Sequence, residues 1–244
     1  MGATKIEFRL RMAINSLIVL LGFWAPWIGV WGTGRRIPLL EWLPLELSQH
    51  GLLNFETAVR ATLVIAALIA AKAAVFRIWG AAYLGPATVI HSQMKADALV
   101  AVGPYRYVRN PLYIGLWAMM AALSFLMPPT GALFVLIAIP VFVLRLILGE
   151  EAFLTNKLGQ PYLDYQHAVP RLVPRLQTIL PSASGRPQWL RAALSELTPI
   201  GVFVAFVVLA WSYNTLLAEK VILVSFGLSL IARALPLQGM QEAS

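Results

Sequence analysis

Six stretches of nearly uninterrupted apolar residues, each close to the roughly 17–25 residues needed to cross a ~30 Å hydrocarbon layer, constrain this chain more than any other feature. They fall at about 14–31, 57–79, 112–127, 131–148, 198–217 and 221–235, the third and fourth being short. Of 244 residues, 59% are hydrophobic and only 12% charged, against roughly 25% charged in a soluble domain. A soluble fold of this size could not hide so much apolar surface. The expectation is an all-α, polytopic transmembrane helix bundle of about six spans, with a cytoplasmic cap.

Charge is distributed accordingly. The net charge of +8 and pI near 10.1 could suggest nucleic acid, but the basic residues cluster at span ends, the pattern of positive-inside topology. Outside the spans or in their last turns, thirteen Lys and Arg, among them Lys5, Arg106, Arg109 and Arg171, fall on one side. Only Arg35, Arg36 and Lys220 fall on the other. Both termini and both long loops are therefore expected to be cytoplasmic. With no cysteine, disulfides, thiolate metal sites, Cys nucleophiles and Cys lipidation are excluded. His50, His91 and His167 make no metal-ligand spacing, so no metal is expected. The run Ile14 to Trp31 follows Lys5, Arg9 and Arg11 but is long, Trp-bearing and without a small-x-small cleavage site, so it reads as a retained first span.

The chain divides into an N-terminal two-span segment (1–79), a core (80–180) and a C-terminal helical hairpin (181–244). Pro128-Pro129-Thr130-Gly131 reads as a tight turn, which makes the third and fourth spans antiparallel neighbours. The two long loops, about 80–110 and 149–197, carry aromatic and apolar residues at close intervals and are expected to be ordered caps. The tandem Val-Pro-Arg-Leu of residues 169–176 is too short for a repeat architecture, and its prolines make it extended. Arg60 and Lys72 lie near enough to span ends to snorkel. Arg145 is an intramembrane charge, which is a functional hypothesis by default.

The chemistry concentrates in Gly103-Pro104-Tyr105-Arg106-Tyr107-Val108-Arg109-Asn110-Pro111-Leu112-Tyr113-Ile114-Gly115, which leads into the third span. Asn-Pro is a helix start whatever the function, with Asn110 a favoured N-cap and Pro111 suited to the first helical position. That does not account for Tyr105, Arg109, Tyr113 and Gly115, polar groups and a close-approach glycine at a helix N-terminus, where an anionic ligand is favoured. Glu150 and Glu151 follow the fourth span, and the tight turn returns them to the same membrane face. Carboxylates at a helix C-terminus oppose its dipole, so position alone does not favour them there.

Together, Tyr105, Arg109-Asn110-Pro111-Leu112-Tyr113-x-Gly115 and Glu150-Glu151-x-Phe-Leu-x4-Gly159-x2-Tyr162-x2-Tyr165 resemble the isoprenylcysteine carboxyl methyltransferase and phospholipid methyltransferase superfamily over roughly residues 80–176. The resemblance implies S-adenosylmethionine as cofactor, held between the core helices and the cytoplasmic cap. It also implies that Asp97-Ala98-Leu99-Val100 grips adenosine, that Tyr105, Asn110, Pro111, Leu112 and Tyr113 contact the cofactor, and that Glu150 is the acid that holds it. Glu151 is then available as a base for an amine acceptor, beside Arg109, and Arg145 as a partner for an acidic one. Asn110 stands where many members have His and cannot titrate. Members acting on prenylcysteine place a substrate arginine four residues before the cofactor Glu; here that is Leu146, and Arg145 is offset by about 100° of helix.

A membrane NADPH reductase shares an Arg-His-Pro-x-Tyr element but typically follows the motif glycine with an acidic residue, where this chain has Leu116. A transporter would place charges at mid-bilayer depth or break its helices. The expected partners are the lipid bilayer and a hydrophobic or lipidated acceptor, with no nucleic acid and no obligate protein partner. The acceptor itself, whether a prenylated cysteine carboxylate, a phospholipid amine, or a small hydrophobic thiol or acid, is left open.

Overall fold

The computed structural model describes residues 2–27, 36–84, 101–177 and 186–234. Ten α-helices follow one another along them: α1 (Lys5–Arg9), α2 (Arg11–Trp24), α3 (Leu39–Gln49), α4 (Phe55–Leu84), α5 (Pro111–Ser124), α6 (Pro129–Leu158), α7 (Gln160–Ala168), α8 (Trp189–Ser195), α9 (Leu197–Ser212) and α10 (Thr215–Ala234). No strand occurs among the described residues.

The protein is an integral membrane protein. Helices α4, α6 and α10 are long and apolar enough to cross a bilayer, and α8 with α9, bent by 73°, makes a fourth candidate. Val64, Leu68, Leu133, Ile137, Leu223 and Val224 are all more than half exposed, a surface that suits lipid and not water. Among the described residues the expected count of six spans is not confirmed. Helices α2 and α5 have 14 residues each, about 21 Å at 1.5 Å per residue, which is short of the hydrocarbon thickness.

Small residues let the helices approach closely, as packing in lipid requires. Ala66, Ala70, Ala73 and Ala81 of α4 are fully buried. Where α2 crosses α6, a Cβ on Gly131 would lie 1.9 Å from the Gly22 carbonyl oxygen. Gly131 is thus a helix-crossing contact and not the turn glycine expected from its neighbours. The turn itself lies at 125–128, with Pro129 opening α6. It is held from outside by α3, an element unforeseen in the sequence, whose Leu39 and Leu40 amides donate to the Met127 and Phe125 carbonyls.

Helix α6 continues ten residues past its expected end at 148, to Leu158. Residues 150–158 are mostly good helix formers, and the first break is Gly159, with φ +63°. Glu150 and Glu151 are consequently interior helix residues and not an acidic helix end. The N-terminal residues lie along this part of α6. The Ala3 amide donates to the Arg145 carbonyl at 2.7 Å, Gly2 abuts Gly149, and Phe8 is buried with Phe142 and Leu146. Beyond α6, α7 buries Tyr162 and Tyr165 with Val169 and Leu158. The Val-Pro-Arg-Leu strap then returns over the start of α5: the Arg109 amide donates to the Pro170 carbonyl (2.9 Å) and the Arg175 amide to the Tyr107 carbonyl (3.0 Å).

Candidate functional site

Three helix ends meet on one face: the last turns of α4, the first of α5 and the last third of α6. The approach to α5 is built tightly. Gly103 has φ +53°, and a Cβ there would sit 2.5 Å from the Tyr83 ring, so only glycine fits. The following single turn of 3₁₀ helix, Gly103–Arg106, buries Tyr105. The Tyr105 hydroxyl donates to the Gly80 carbonyl at 3.4 Å, and the Tyr105 carbonyl accepts from the Tyr165 hydroxyl at 2.7 Å. Burial pushes the ionisation of both phenols well above the usual tyrosine range, so both remain neutral donors. Asn110 occupies the cap position of α5, but its side chain does not cap the helix. Its Nδ2 donates instead to the Arg171 carbonyl at 3.1 Å, so its role in the folded chain is to hold the strap.

Adjacent carboxylates on α6 take different partners. Glu151 is buried and paired with two guanidinium groups: Arg109 Nη1 lies 3.0 Å from its Oε1, and Arg171 Nη2 donates to its Oε2 at 2.7 Å. Arg171 Nε adds a further bond at 3.1 Å. The hydrogen bonds to Glu151 raise the ionisation of Arg171 further. Glu150 points elsewhere and accepts from the Tyr113 hydroxyl at 3.1 Å. The positive charge of Arg11, from the segment laid along α6, acts on both Glu150 and Tyr113. Arg109 is ninety per cent buried, and its Nε has no hydrogen-bond partner among the described residues. A buried donor left over in this way is costly unless a ligand meets it.

This geometry brings together Tyr105, Arg109, Asn110, Pro111, Leu112, Tyr113, Glu150 and Glu151. Glu151, within this group, and Arg145, outside it, take partners other than those the sequence suggested. Glu151, expected as a base, would have to shed a guanidinium to take a proton, since both of its oxygens are already held. Arg145, expected at the acceptor, donates from Nη2 to Glu7 Oε1 at 2.8 Å; its offset around the helix carries it to the N-terminal segment. Asp97, Ala98, Leu99 and Val100 lie outside the described residues. Sequence reasoning missed Arg171 and Arg11. The tandem motif drew attention to proline spacing, and Arg11 read as an ordinary flanking cation. One signal was available for Arg171: a motif that pairs Glu151 with Arg109 leaves a buried carboxylate with room for a second donor.

Residues 61–161 match the family model described as phospholipid methyltransferase, a family of the isoprenylcysteine and phospholipid methyltransferase superfamily. The match spans α4 from its second turn, α5, and α6 with the start of α7. No curated protein and no solved structure matches the chain.

Proposed function

With residues 61–161 matched to a family of membrane methyltransferases, we propose that this chain transfers a methyl group from S-adenosylmethionine to the polar head of a lipid-like acceptor, at the cytoplasmic face of the bilayer. The observation that carries the reading is the division of labour between the adjacent carboxylates. Glu151 is fixed between Arg109 and Arg171, which leaves Glu150 beside Tyr113 as the carboxylate open to a ligand.

The residues fit the cofactor. S-adenosylmethionine joins a cationic sulfonium and ammonium to a carboxylate; Glu150 and Tyr113 suit the cations, and the unpartnered Nε of Arg109 suits the anion. When bound, it supplies an electrophilic methyl group on sulfur, so that the S–CH₃ bond breaks with its electron pair left on sulfur while a bond to the acceptor forms. The protein's part is to orient two reactants and exclude water. An amine acceptor must also give up a proton, and Glu150, hydrogen-bonded to Tyr113, is the carboxylate available to receive it.

An amine head is favoured over a carboxylate. Arg145 is engaged by Glu7 and Arg171 by Glu151, and the spare Nε of Arg109 is taken by the cofactor carboxylate, so none of these three arginines is left for an acceptor anion. The test is titration of the purified protein with S-adenosylmethionine and, separately, with NADPH, followed by transfer of labelled methyl into vesicles of phosphatidylethanolamine. Saturable S-adenosylmethionine binding and lipid labelling are expected. Saturable NADPH binding without a response to S-adenosylmethionine would sink the reading.

A further inference from the structure

Arg77 and Glu196 form a second charge cluster, apart from the carboxylates of α6. Arg77 Nε donates to Glu196 Oε2 and Arg77 Nη2 to Glu196 Oε1, both at 2.7 Å, in a fork against a carboxylate. The Glu196 side chain is fully buried and that of Arg77 is 17% exposed. Glu196 stands at the 73° break between α8 and α9. It lies beyond the family-matched segment, in the C-terminal hairpin for which the sequence offered no function.

The stem of Arg77 has a particular seat. A Cβ on Gly115 would lie 2.6 Å from Arg77 Cγ and 3.0 Å from both Cδ and the Arg77 backbone nitrogen. Glycine at 115 therefore makes a notch in α5, and the Arg77 stem fills it. That notch is two residues from Tyr113, the donor to Glu150. A leucine would fill the same space without the cost of burying an ion. What an arginine adds is direction, because a fork bound by both oxygens of a carboxylate allows the side chain one orientation.

We propose that Glu196 is a positioning residue for the site: by gripping the Arg77 fork it seats the Arg77 stem in the Gly115 notch, fixing the first turns of α5 and with them the Tyr113 hydroxyl that meets Glu150. The C-terminal hairpin is then a working part of the site and not an accessory. For its effect on cofactor binding, the inference rests on the reading that Tyr113 and Glu150 meet S-adenosylmethionine.

The test uses the full-length protein in detergent, with Glu196→Gln, Gly115→Ala, the double variant and Arg77→Lys. Two readouts are needed: S-adenosylmethionine affinity by calorimetry, and backbone hydrogen exchange over residues 111–118. Each single substitution is expected to weaken S-adenosylmethionine about tenfold, the scale of one hydrogen bond to a charged group. It should also speed exchange over 111–118 while leaving 119–124 unchanged. The double variant should lose no more than either single one, because both release the same stem. Arg77→Lys keeps the charge but loses the fork, so it should lose affinity too, and it stands in for Glu196→Gln if that variant does not fold. A purely structural pair predicts folded variants of lower melting temperature with wild-type affinity and wild-type exchange at 111–118; that result, or additive losses in the double variant, would overturn the proposal. If the wild type itself fails to bind S-adenosylmethionine, the proposed function falls, and the exchange readout still decides whether Glu196 positions α5.

Discussion

Glu150 and Glu151 differ in nothing but a rotation of about 100° around α6, and that rotation decides their chemistry. Glu151 turns toward the strap and α5, where Arg109 and Arg171 neutralise it; Glu150 turns toward Tyr113. The two substitutions should separate accordingly. Glu151→Gln leaves two guanidinium groups, one of them deeply buried, without their counter-charge, a lesion worth about 3–5 kcal/mol; a large fall in melting temperature in detergent is the expected result. Glu150→Gln should leave the melting temperature nearly unchanged and weaken S-adenosylmethionine binding by roughly 1.5–3 kcal/mol, the worth of a hydrogen bond involving charge. A third residue gives a pH signature. The Thr4 amide and then Arg145 hold the Glu7 carboxyl below its ordinary value of 4.5. A carboxylate depressed by folding contributes stability above that ordinary value and loses it as the pH falls through the lower folded value. The gap in melting temperature between wild type and Glu7→Gln should therefore be present at neutral pH and close progressively below pH 4.5.

At the scale of elements, helix crossings and helix ends behave differently. The α2–α6 crossing leaves no room at Gly131, whose added Cβ would meet backbone, whereas Gly227 of α10 has nothing within 4 Å. Gly131→Ala should cost at least the 1–3 kcal/mol or so typical of overpacking, because backbone cannot rotate aside. Gly227→Ala should be neutral or gain up to about 1 kcal/mol of helix propensity. Paired thermal melts would show whether the contact or the residue type sets the effect. The same contrast explains what the sequence revealed. Apolar runs announced a helical membrane protein, and the Asn-Pro and Glu-Glu motifs announced the meeting of α5 and α6, because a short turn leaves little choice. Helix ends stayed hidden. Apolar composition marks where lipid begins but not where a helix leaves it, so α6 read as ending at 148 when it runs to Leu158, and α5 read as a span when it has 14 residues. Partners from distant segments, such as Glu7 for Arg145 and Glu196 for Arg77, are set by packing and leave no local periodicity.

For the whole molecule, the question is which side of the membrane the site faces. The 30 residues of α4 span about 45 Å at 1.5 Å each, long enough to place its two ends on opposite sides of the bilayer. Gly51 precedes the first end. Residue 188 is tied to the second, where the Gln188 amide donates to the Ala82 carbonyl at 2.9 Å and Trp189 packs on Tyr83. Reporter fusions after Gly51 and after Arg186 should therefore report opposite compartments whichever way the molecule is inserted. The excess of Lys and Arg, thirteen against three on the expected six-span topology, predicts the direction: cytoplasm after Arg186 and after Lys95, and the far side after Gly51. Equal reports from Gly51 and Arg186 would mean that α4 does not cross. A clean inversion would leave the fold intact but place Glu150 and Tyr113 away from a cytosolic cofactor, and the proposed function would fall while the helix assignments stood.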